Sequence, residues 1–147
     1  MTRGMLVTVL YRAAGTPDIE NEILGYPYAD VDANEYYGTA VYWARLRNIA
    51  SGYSDERFGP NDPLTREQLI VMLWRYAGSP APSSRMLTAP DAGQVGDYAL
   101  DAVCWASENG ILNGDSSGRL NPQAQATRAE VAQMMKSFLE HRETNPA

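Results

Sequence analysis

The chain has 147 residues, and its 12 Lys and Arg against 18 Asp and Glu give a formal net charge of −6. This length suits one compact domain with its own core. The acidic balance argues against nucleic acid as the main partner, because such binders need a basic face. No apolar run approaches the roughly 20 residues of a membrane-spanning helix, so no membrane insertion is expected.

The dominant feature of the sequence is an internal repeat. Residues 36–77 align without gaps on 98–139, and 13 of these 42 positions are identical. Residues 2–17 align in the same way on 65–80, with eight identities. The chain is therefore about two and a half copies of one unit, predicted to form a single domain over 1–147. The copies are the back half of a first copy at 1–17, a second copy at 28–78 and a third copy at 87–140.

The second copy shows the predicted architecture, which is a helix, a loop and another helix. Apolar residues recur at helical spacing over 36–48, and turn-forming residues fill 51–63. A second helix is predicted over 66–77, because Gly78 and Pro80 follow it in the order typical of a helix end.

The third copy repeats this pattern, with helices predicted over 99–109 and 128–139. Nothing in the chain has the signature of a parallel sheet, and short strands at Phe58 or Leu120 would be minor. A two-helix unit cannot bury both helix faces alone, so the copies must pack on each other. The predicted fold class is mainly α, built from tandem helix–loop–helix repeats.

Each second helix is predicted to begin with the same dipeptide: Thr2-Arg3, Thr65-Arg66 and Thr127-Arg128. The threonines are predicted N-caps, since a Thr side chain can accept a backbone N–H of the first turn. Gln68 and Glu130 would complete capping boxes by reaching back from the third helical position. The first copy has Met5 at that position and is expected to lack the box.

A positive charge at the first helical position interacts unfavourably with the helix dipole, which costs about 0.3–1 kcal/mol of stability. Because all three copies keep it, one interpretation is that a carboxylate or phosphate binds the guanidinium together with free N–H groups at the helix start. The alternative is a salt bridge from each arginine to an aspartate of a neighbouring copy, such as Asp30 or Asp91. Both interpretations stay open, and they can hold together.

Two further pairs of repeated residues are candidates for a site. Trp43 and Trp105 match on the first helices and suit either a core position or an aromatic platform for a sugar. Gly52 and Gly114 are interpreted as positive-φ positions after the helix. Their lack of a side chain would also leave room for a ligand.

Enzyme constellations are poorly supported. His141, the one histidine, is predicted to lie beyond the last helix, which removes a Ser-His-Asp or Cys-His arrangement. Cys104 has no local base and no second cysteine for a disulfide or a multi-cysteine metal site. Residues 30–34 imitate the start of a calcium loop, but Glu35 and Val41 stand where Gly and Glu are required. We expect no catalytic residue, no metal and no cofactor.

These motifs together resemble the S-layer homology repeat. The resemblance rests on aromatic-x-Asp, Ala-Val-x-Trp-Ala, the following Gly and the Thr-Arg helix start, and it runs from Thr2 to about Leu139. It implies a pseudo-threefold α-helical domain that anchors exported proteins non-covalently to the bacterial cell wall or S-layer. The implied partner is a secondary cell-wall polymer, a polysaccharide that commonly bears an acidic, pyruvylated amino sugar and lies in grooves between repeats.

The resemblance also implies roles for particular residues. The helix-start arginines Arg3, Arg66 and Arg128 would bind the pyruvyl group. Other residues would line the grooves, namely Asp30, Asp91, Trp43, Trp105, Gly52 and Gly114. The sequence departs from the family pattern at Ala89, where an aromatic residue is usual, and at Gly4-Met5, where Glu is usual. The Arg66 groove is therefore expected to be the best formed.

The first copy lacks its front half, so at least one groove is expected to be incomplete. Apolar surface exposed by that gap would favour a homodimer. The first ten residues have too short an apolar core for a signal peptide, so the leader of an exported protein would lie outside this chain. A structural or self-assembly module without glycan binding is the alternative function, and a polymer-cleaving enzyme is a third.

Overall fold

A computed structural model describes residues 1–22, 25 and 28–144. Over these ranges the regular structure consists of α-helices and short 3₁₀ turns, with two isolated β-bridges and no strand. The α-helices are α1 (Arg3–Ala13), α2 (Gly38–Leu46), α3 (Arg66–Tyr76), α4 (Leu100–Glu108) and α5 (Arg128–Thr144). The mainly-α prediction is confirmed, and no strand forms at Phe58 or Leu120.

Helix α5 continues past its predicted end at residue 139 because its last turns have packing partners. Phe138 is fully buried, with its ring centroid 5.9 Å from Tyr76 on α3 and 6.4 Å from Trp105 on α4. The His141 ring lies 5.8 Å from Trp105, and the Arg142 guanidinium lies 4.8 Å from the Tyr76 ring. The prediction that His141 lies beyond the last helix is wrong.

The residue contacts divide the chain into two compact units, Met1–Pro63 and Leu64–Ala147. The boundary falls inside the second copy, between its loop and its second helix. Each unit therefore combines the second helix of one copy with the front half of the next copy. The N-terminal unit contains α1 and α2, and the C-terminal unit contains α3, α4 and α5.

Each unit has a core made by facing helices. In the N-terminal unit α1 packs on α2 through buried Leu6 and Leu10 and through Val41, all without exposed surface. In the C-terminal unit Leu69 and Leu73 of α3 are equally buried where that helix packs on α4. No helix of the described chain is long and apolar enough to cross a membrane.

Gly52 and Gly114 do not have positive φ angles, contrary to the prediction. The left-handed residues after the first helices are Asn48, with φ of 56°, and Gly110, with φ of 70°. These two residues align in the repeat, so one backbone conformation ends both helices. Gly is the residue that adopts this conformation most easily, and Asn is among the few others that tolerate it.

Candidate functional site

The start of α1 is covered by the loop that follows α2. Thr2 caps the helix, since its Oγ1 accepts the N–H of Met5 at 3.2 Å. The N–H of Arg3 donates to the carbonyl of Asp62 at 3.0 Å, and the N–H of Gly4 donates to the carbonyl of Pro60 at 2.8 Å. The first N–H groups of α1 are therefore already bonded within the protein.

The start of α3 is arranged in the same way by the loop that follows α4. The N–H groups of Arg66 and Glu67 donate to the carbonyls of Ala124 at 2.9 Å and Pro122 at 3.0 Å. Thr65 and Gln68 form the predicted capping box. The expectation of free N–H groups at the helix starts is wrong for α1 and α3, because the loop carbonyls accept them.

The Arg3 guanidinium is enclosed by the N-terminal unit. Its Nε donates to the carbonyl of Phe58 at 2.9 Å, and its Nη2 donates to the carbonyl of Ser51 at 2.8 Å. Its Cζ lies 4.7 Å from the ring centroids of both Tyr53 and Phe58, a cation–π geometry. Only 5% of Arg3 is exposed, so little of its surface is left for an external ligand.

The Arg66 guanidinium has one equivalent bond and one different partner. Its Nε donates to the carbonyl of Leu120 at 2.9 Å, matching the bond from Arg3 to Phe58. Its Nη1 forms an ion pair with the Glu130 carboxylate on α5, whose side chain is 37% exposed. The ion-pair partner of Arg66 is thus Glu130 rather than Asp91, and Glu130 does not close a second capping box with its side chain.

Asp30 and Asp91 hold the loops whose carbonyls the arginines bind. The Asp30 carboxylate accepts the N–H groups of Phe58 at 2.9 Å and Gly59 at 2.8 Å. Asp91 accepts the N–H groups of Leu120 at 2.9 Å and Asn121 at 2.8 Å. The bond from Leu120 is the main cause that holds the pKa of Asp91 below its usual value. These aspartates therefore position the loop.

Arg128 differs from the other two arginines because no loop encloses it. Its side chain is exposed and makes no hydrogen bond or ion pair with any residue that the structure describes. Thr127 still caps its helix, since its Oγ1 accepts the N–H of Glu130 at 3.2 Å. The three repeated arginines thus occupy three different environments.

Trp43 and Trp105 lie in the cores of their units. They are only 3% and 4% exposed. The Trp43 ring lies 5.6 Å from Tyr11, and Trp105 packs on Phe138 and His141. Burial accounts for both residues and leaves each indole little surface on which a sugar could stack.

Gly52 and Gly114 lie where the backbone is crowded. A Cβ on Gly52 would stand 2.3 Å from the carbonyl oxygen of Arg57 and 2.6 Å from the Tyr28 ring. A Cβ on Gly114 would stand 2.8 Å from the backbone of Gly118. Glycine is required at both positions because no side chain fits. Protein atoms already occupy the space where a side chain would lie, so the missing side chain leaves no room for a ligand there.

Arg66 lies on the wall of a pocket of about 300 Å³ in the C-terminal unit. Its lining residues are Arg66, Asn113, Gly114, Asp115, Asn121, Ala124 and Glu130. The side chain of Asn121 donates to the Asp115 carboxylate at 3.0 Å and is the main cause that lowers the pKa of Asp115. The pocket lining thus contains the guanidinium of Arg66, the side chains of two acidic residues and those of two asparagines. This combination suits the hydroxyl and amide groups of a sugar, and an acidic group would have to displace Glu130 from Arg66.

Two acidic residues that shape this region were missed by the sequence reasoning. The sequence pattern predicts only a capping role for Glu130, but its carboxylate pairs with Arg66. Glu67 is 4% exposed, and its carboxylate accepts the N–H of Gly96 at 3.0 Å, the Tyr98 hydroxyl at 3.1 Å and the Gln123 amide at 2.9 Å. The available signal was the repeat alignment, which places Glu67 opposite Gly4.

Both units are helical and share one loop arrangement, and the C-terminal unit adds a polar pocket at Arg66. In the part of the chain that the structure describes, no three His, Cys, Asp or Glu residues are placed to hold a metal ion. The S-layer homology domain model matches residues 27–70 and 90–132, which is more than half of the chain. The chain belongs to the S-layer homology domain family.

The curated relatives are much longer proteins. The chain is 28% identical over 130 residues to an amylopullulanase of Thermoanaerobacterium thermosulfurigenes, covering 84% of this chain and 7% of the relative. It is 29% identical over 127 residues to exoglucanase XynX of Acetivibrio thermocellus, which covers 84% of this chain and 12% of the relative. It is 27% identical over 109 residues to a cell surface protein of Thermoanaerobacter kivui, which covers 71% of this chain and 14% of the relative. The chain thus spans a small fraction of each relative.

Proposed function

We propose that this chain is a non-catalytic module that anchors a protein to the bacterial cell wall by binding a secondary cell-wall polymer. Membership of the S-layer homology family supports an anchoring role at the cell surface. The relatives support it further, because a module that covers 7–14% of a cell surface protein or a polysaccharide-degrading enzyme is suited to attachment. The observation that carries the proposal is the pocket at Arg66.

The proposed ligand is an acidic amino sugar, and its acid group would bind Arg66. Glu130 occupies the guanidinium in the ligand-free protein, so a ligand carboxylate must replace it. This exchange conserves one charge-assisted bond. Glu130 can turn into solvent because its side chain is already 37% exposed. The amides of Asn113 and Asn121 would then bind hydroxyl or acetamido groups of the sugar.

Arg66 is proposed to contribute more to binding than Arg3 or Arg128. Both arginines are buried, at 5% exposed for Arg3 and 9% for Arg66. A ligand would have to disrupt the loop and its rings to reach Arg3, whereas at Arg66 it has to displace only the partly exposed Glu130 side chain. Arg128 is accessible but has no surrounding loop to supply further contacts. An isolated surface arginine binds an anion weakly, because solvent and salt screen the interaction.

The alternative function is a structural or self-assembly module without its own glycan. It is favoured by the bonds from Arg3 and Arg66 to the loop carbonyls of Phe58 and Leu120, which give both arginines a folding role. Under this alternative Glu130 completes a structural ion pair. The two functions therefore differ in what neutralising Glu130 should change: anchoring predicts stronger polymer binding, whereas the alternative predicts no polymer binding and a less stable fold.

The experiment is sedimentation of the purified chain with bacterial cell walls, before and after the secondary polymer is removed. The variants are Arg66→Ala, Glu130→Gln and, as a charge-matched control, Arg12→Ala on the exposed end of α1. We expect Arg66→Ala to abolish polymer-dependent binding and Arg12→Ala to preserve it. Glu130→Gln should strengthen binding several-fold, because the ligand no longer competes with a carboxylate for the guanidinium. Circular dichroism of each variant checks the fold.

The anchoring proposal fails if the folded protein sediments equally with stripped and intact walls, or with neither. The arginine assignment alone fails if binding needs the polymer but folded Arg66→Ala retains it. Weaker binding by Glu130→Gln would mean that the ion pair builds the pocket, and it would overturn the exchange mechanism. Export to the cell surface belongs to the same proposal.

A further inference from the structure

A second, larger pocket lies in the C-terminal unit. Its volume is about 510 Å³, within the range of about 300–1,000 Å³ that is usual for small-molecule sites. It is bordered by the segment before Asp91, by residues of α4 and by the loop after that helix. It shares only Asn113 and Gly114 with the Arg66 pocket, so it is a separate space.

The N-terminal unit shows what normally fills this place. Tyr28 is 3% exposed there, with its ring centroid 5.4 Å from that of Phe58. The Arg45 guanidinium lies 5.2 Å from the Tyr28 ring, and the Tyr28 hydroxyl accepts the N–H of Gly52 at 3.0 Å. The Tyr28 ring, at the start of the second copy, therefore contacts both α2 and the loop that follows it.

The C-terminal unit has smaller residues at each of these positions. Ala89 stands for Tyr28, Leu120 for Phe58 and Ser107 for Arg45, and all three line the pocket. The loop nevertheless keeps its place, because Asp91 bonds to it just as Asp30 does in the N-terminal unit. The backbone frame is maintained while the ring is absent, and the pocket is the result.

The polar groups that would meet a phenol are available in this pocket. The N–H of Gly114, the counterpart of the group that binds Tyr28, donates to no acceptor among the described residues. Ser107 Oγ is buried and has no hydrogen-bond partner there. Burying such a group without a partner costs free energy, which a ligand hydroxyl would recover.

The remaining wall combines apolar and polar surface, includes the Glu108 carboxylate and has no positive charge. Leu87, Leu112 and Leu120 contribute aliphatic surface, and the Cys104 thiol is kept protonated because burial raises its pKa. Met86 lies at the pocket with 84% of its surface exposed, so its flexible side chain can fold over an occupant. The lining contains no Lys, Arg or His to hold an anion and no aromatic ring on which a sugar would stack.

We propose that this pocket binds a small uncharged phenolic ring, which takes the place that Tyr28 fills in the N-terminal unit. The ring contacts the leucine side chains, and its hydroxyl accepts the N–H of Gly114 and bonds to Ser107. This site is independent of polymer binding at Arg66, so either proposal can fail without the other.

The experiment is calorimetric titration of the intact chain with 4-methylphenol, the side chain of tyrosine as a free molecule. Ala89→Tyr restores the missing ring and should weaken binding at least about tenfold, because the site is then occupied. Ala132→Tyr, on the exposed face of α5, adds the same ring elsewhere and should bind like the unchanged protein. Toluene should bind more weakly than 4-methylphenol, because it lacks the hydroxyl.

A converse variant tests the same idea in the N-terminal unit. Tyr28→Ala should create a second binding site for 4-methylphenol, and if that variant does not fold, Ala89→Tyr decides the matter alone. A parallel titration with N-acetyltyrosinamide separates two sources of the ring. Binding of both compounds supports a pocket that can accept a tyrosine of a polypeptide, and binding of 4-methylphenol alone supports a free small phenol. Absence of saturable binding, or unchanged binding by Ala89→Tyr, overturns the proposal.

Discussion

The two units have the same framework and fill it differently. In both, an aspartate binds two loop N–H groups, the loop carbonyls bind the helix-start N–H groups, and the helix-start arginine binds a loop carbonyl. In the N-terminal unit aromatic rings surround Arg3, whereas in the C-terminal unit Arg66 meets Glu130 beside a pocket. The framework is thus a property of the repeat, and binding capacity is a property of each copy.

A second difference between the units involves two positions that change together, one at the second residue of a helix and one before the other helix. A Cβ on Gly4 would stand 2.9 Å from the Pro60 carbonyl oxygen and 3.2 Å from the Tyr37 ring, so the loop and the ring together leave little room for a side chain. In the C-terminal unit Ala99 replaces Tyr37, and Glu67 replaces Gly4. The buried Glu67 carboxylate there accepts bonds from three groups. Each change alone should be destabilising, since one crowds the ring and the other leaves unfilled space.

The largest expected difference between the units concerns the arginines. Arg3→Ala should lower the free energy of unfolding by about 2–4 kcal/mol, because it leaves the buried carbonyl of Phe58 without a donor and removes two ring contacts. Arg66→Ala should cost about 1–3 kcal/mol, since it loses one carbonyl bond and Glu130 can turn into water. Urea unfolding measures both, with Arg12→Ala as control. Equal losses would contradict the distinction between an arginine held by two carbonyls and two rings and one paired with a partly exposed carboxylate.

The next effect in size is the pH dependence contributed by Asp91. Its pKa in the folded protein is lowered chiefly by the N–H of Leu120, so its contribution is complete above the ordinary aspartate pKa of about 3.9. That contribution is lost as the pH falls through the lower folded value. Asp91→Asn should therefore melt at a lower temperature near pH 6, and the difference from the unchanged protein should shrink toward pH 3. A difference that stays constant with pH would refute the role of the charged form.

Helix capping should give a smaller difference. Thr65→Ala removes both bonds of the capping box on α3 and should cost about 1 kcal/mol. Thr2→Ala removes a single capping bond on α1 and should cost less, at about 0.5 kcal/mol. Thermal unfolding of the two variants compares them. A greater loss from Thr2→Ala would show that the loop contacts at α1 depend on its cap.

The smallest effect is a gain. Met5→Gln gives α1 the residue that completes the box on α3, and Met5 is exposed enough at 39% to be replaced without a cavity. We expect an increase of about 0.3 kcal/mol or slightly more from the added bond to the N-cap N–H. Met5→Ala is the matched control without the amide. No difference between the two variants would mean that the loop already satisfies the start of α1.

The elements were largely predictable from local signals, and their contacts were not. Gly78 marked the end of α3 because the backbone there needs a left-handed residue, with φ of 93°. Thr65 and Gln68 mark its start, because they form a capping box between residues only three positions apart. The end of α5 was missed because Phe138 and His141 extend the helix by packing on Trp105, which is distant in sequence.

The candidate site was only partly predictable for the same reason. Repetition singled out Arg66, but its pairing with Glu130 joins residues 64 positions apart. Repetition marks Gly114 as a special position, but the reason for a glycine there is the close approach of Gly118 and not a positive φ. Ala89 departs from the repeat pattern, but the sequence does not show whether neighbouring side chains fill the space that the missing aromatic ring leaves.

By itself the sequence determined the repeat, the mainly-α class, the helix starts and the family, because each depends on short-range bonding or on residue identity at a fixed spacing. Only the tertiary structure decided which carbonyls accept the helix-start N–H groups, which acid pairs with Arg66 and where a pocket remains. Those outcomes depend on packing and desolvation among segments far apart in the chain. Two copies with one backbone pattern can therefore differ in what they enclose and what they leave open.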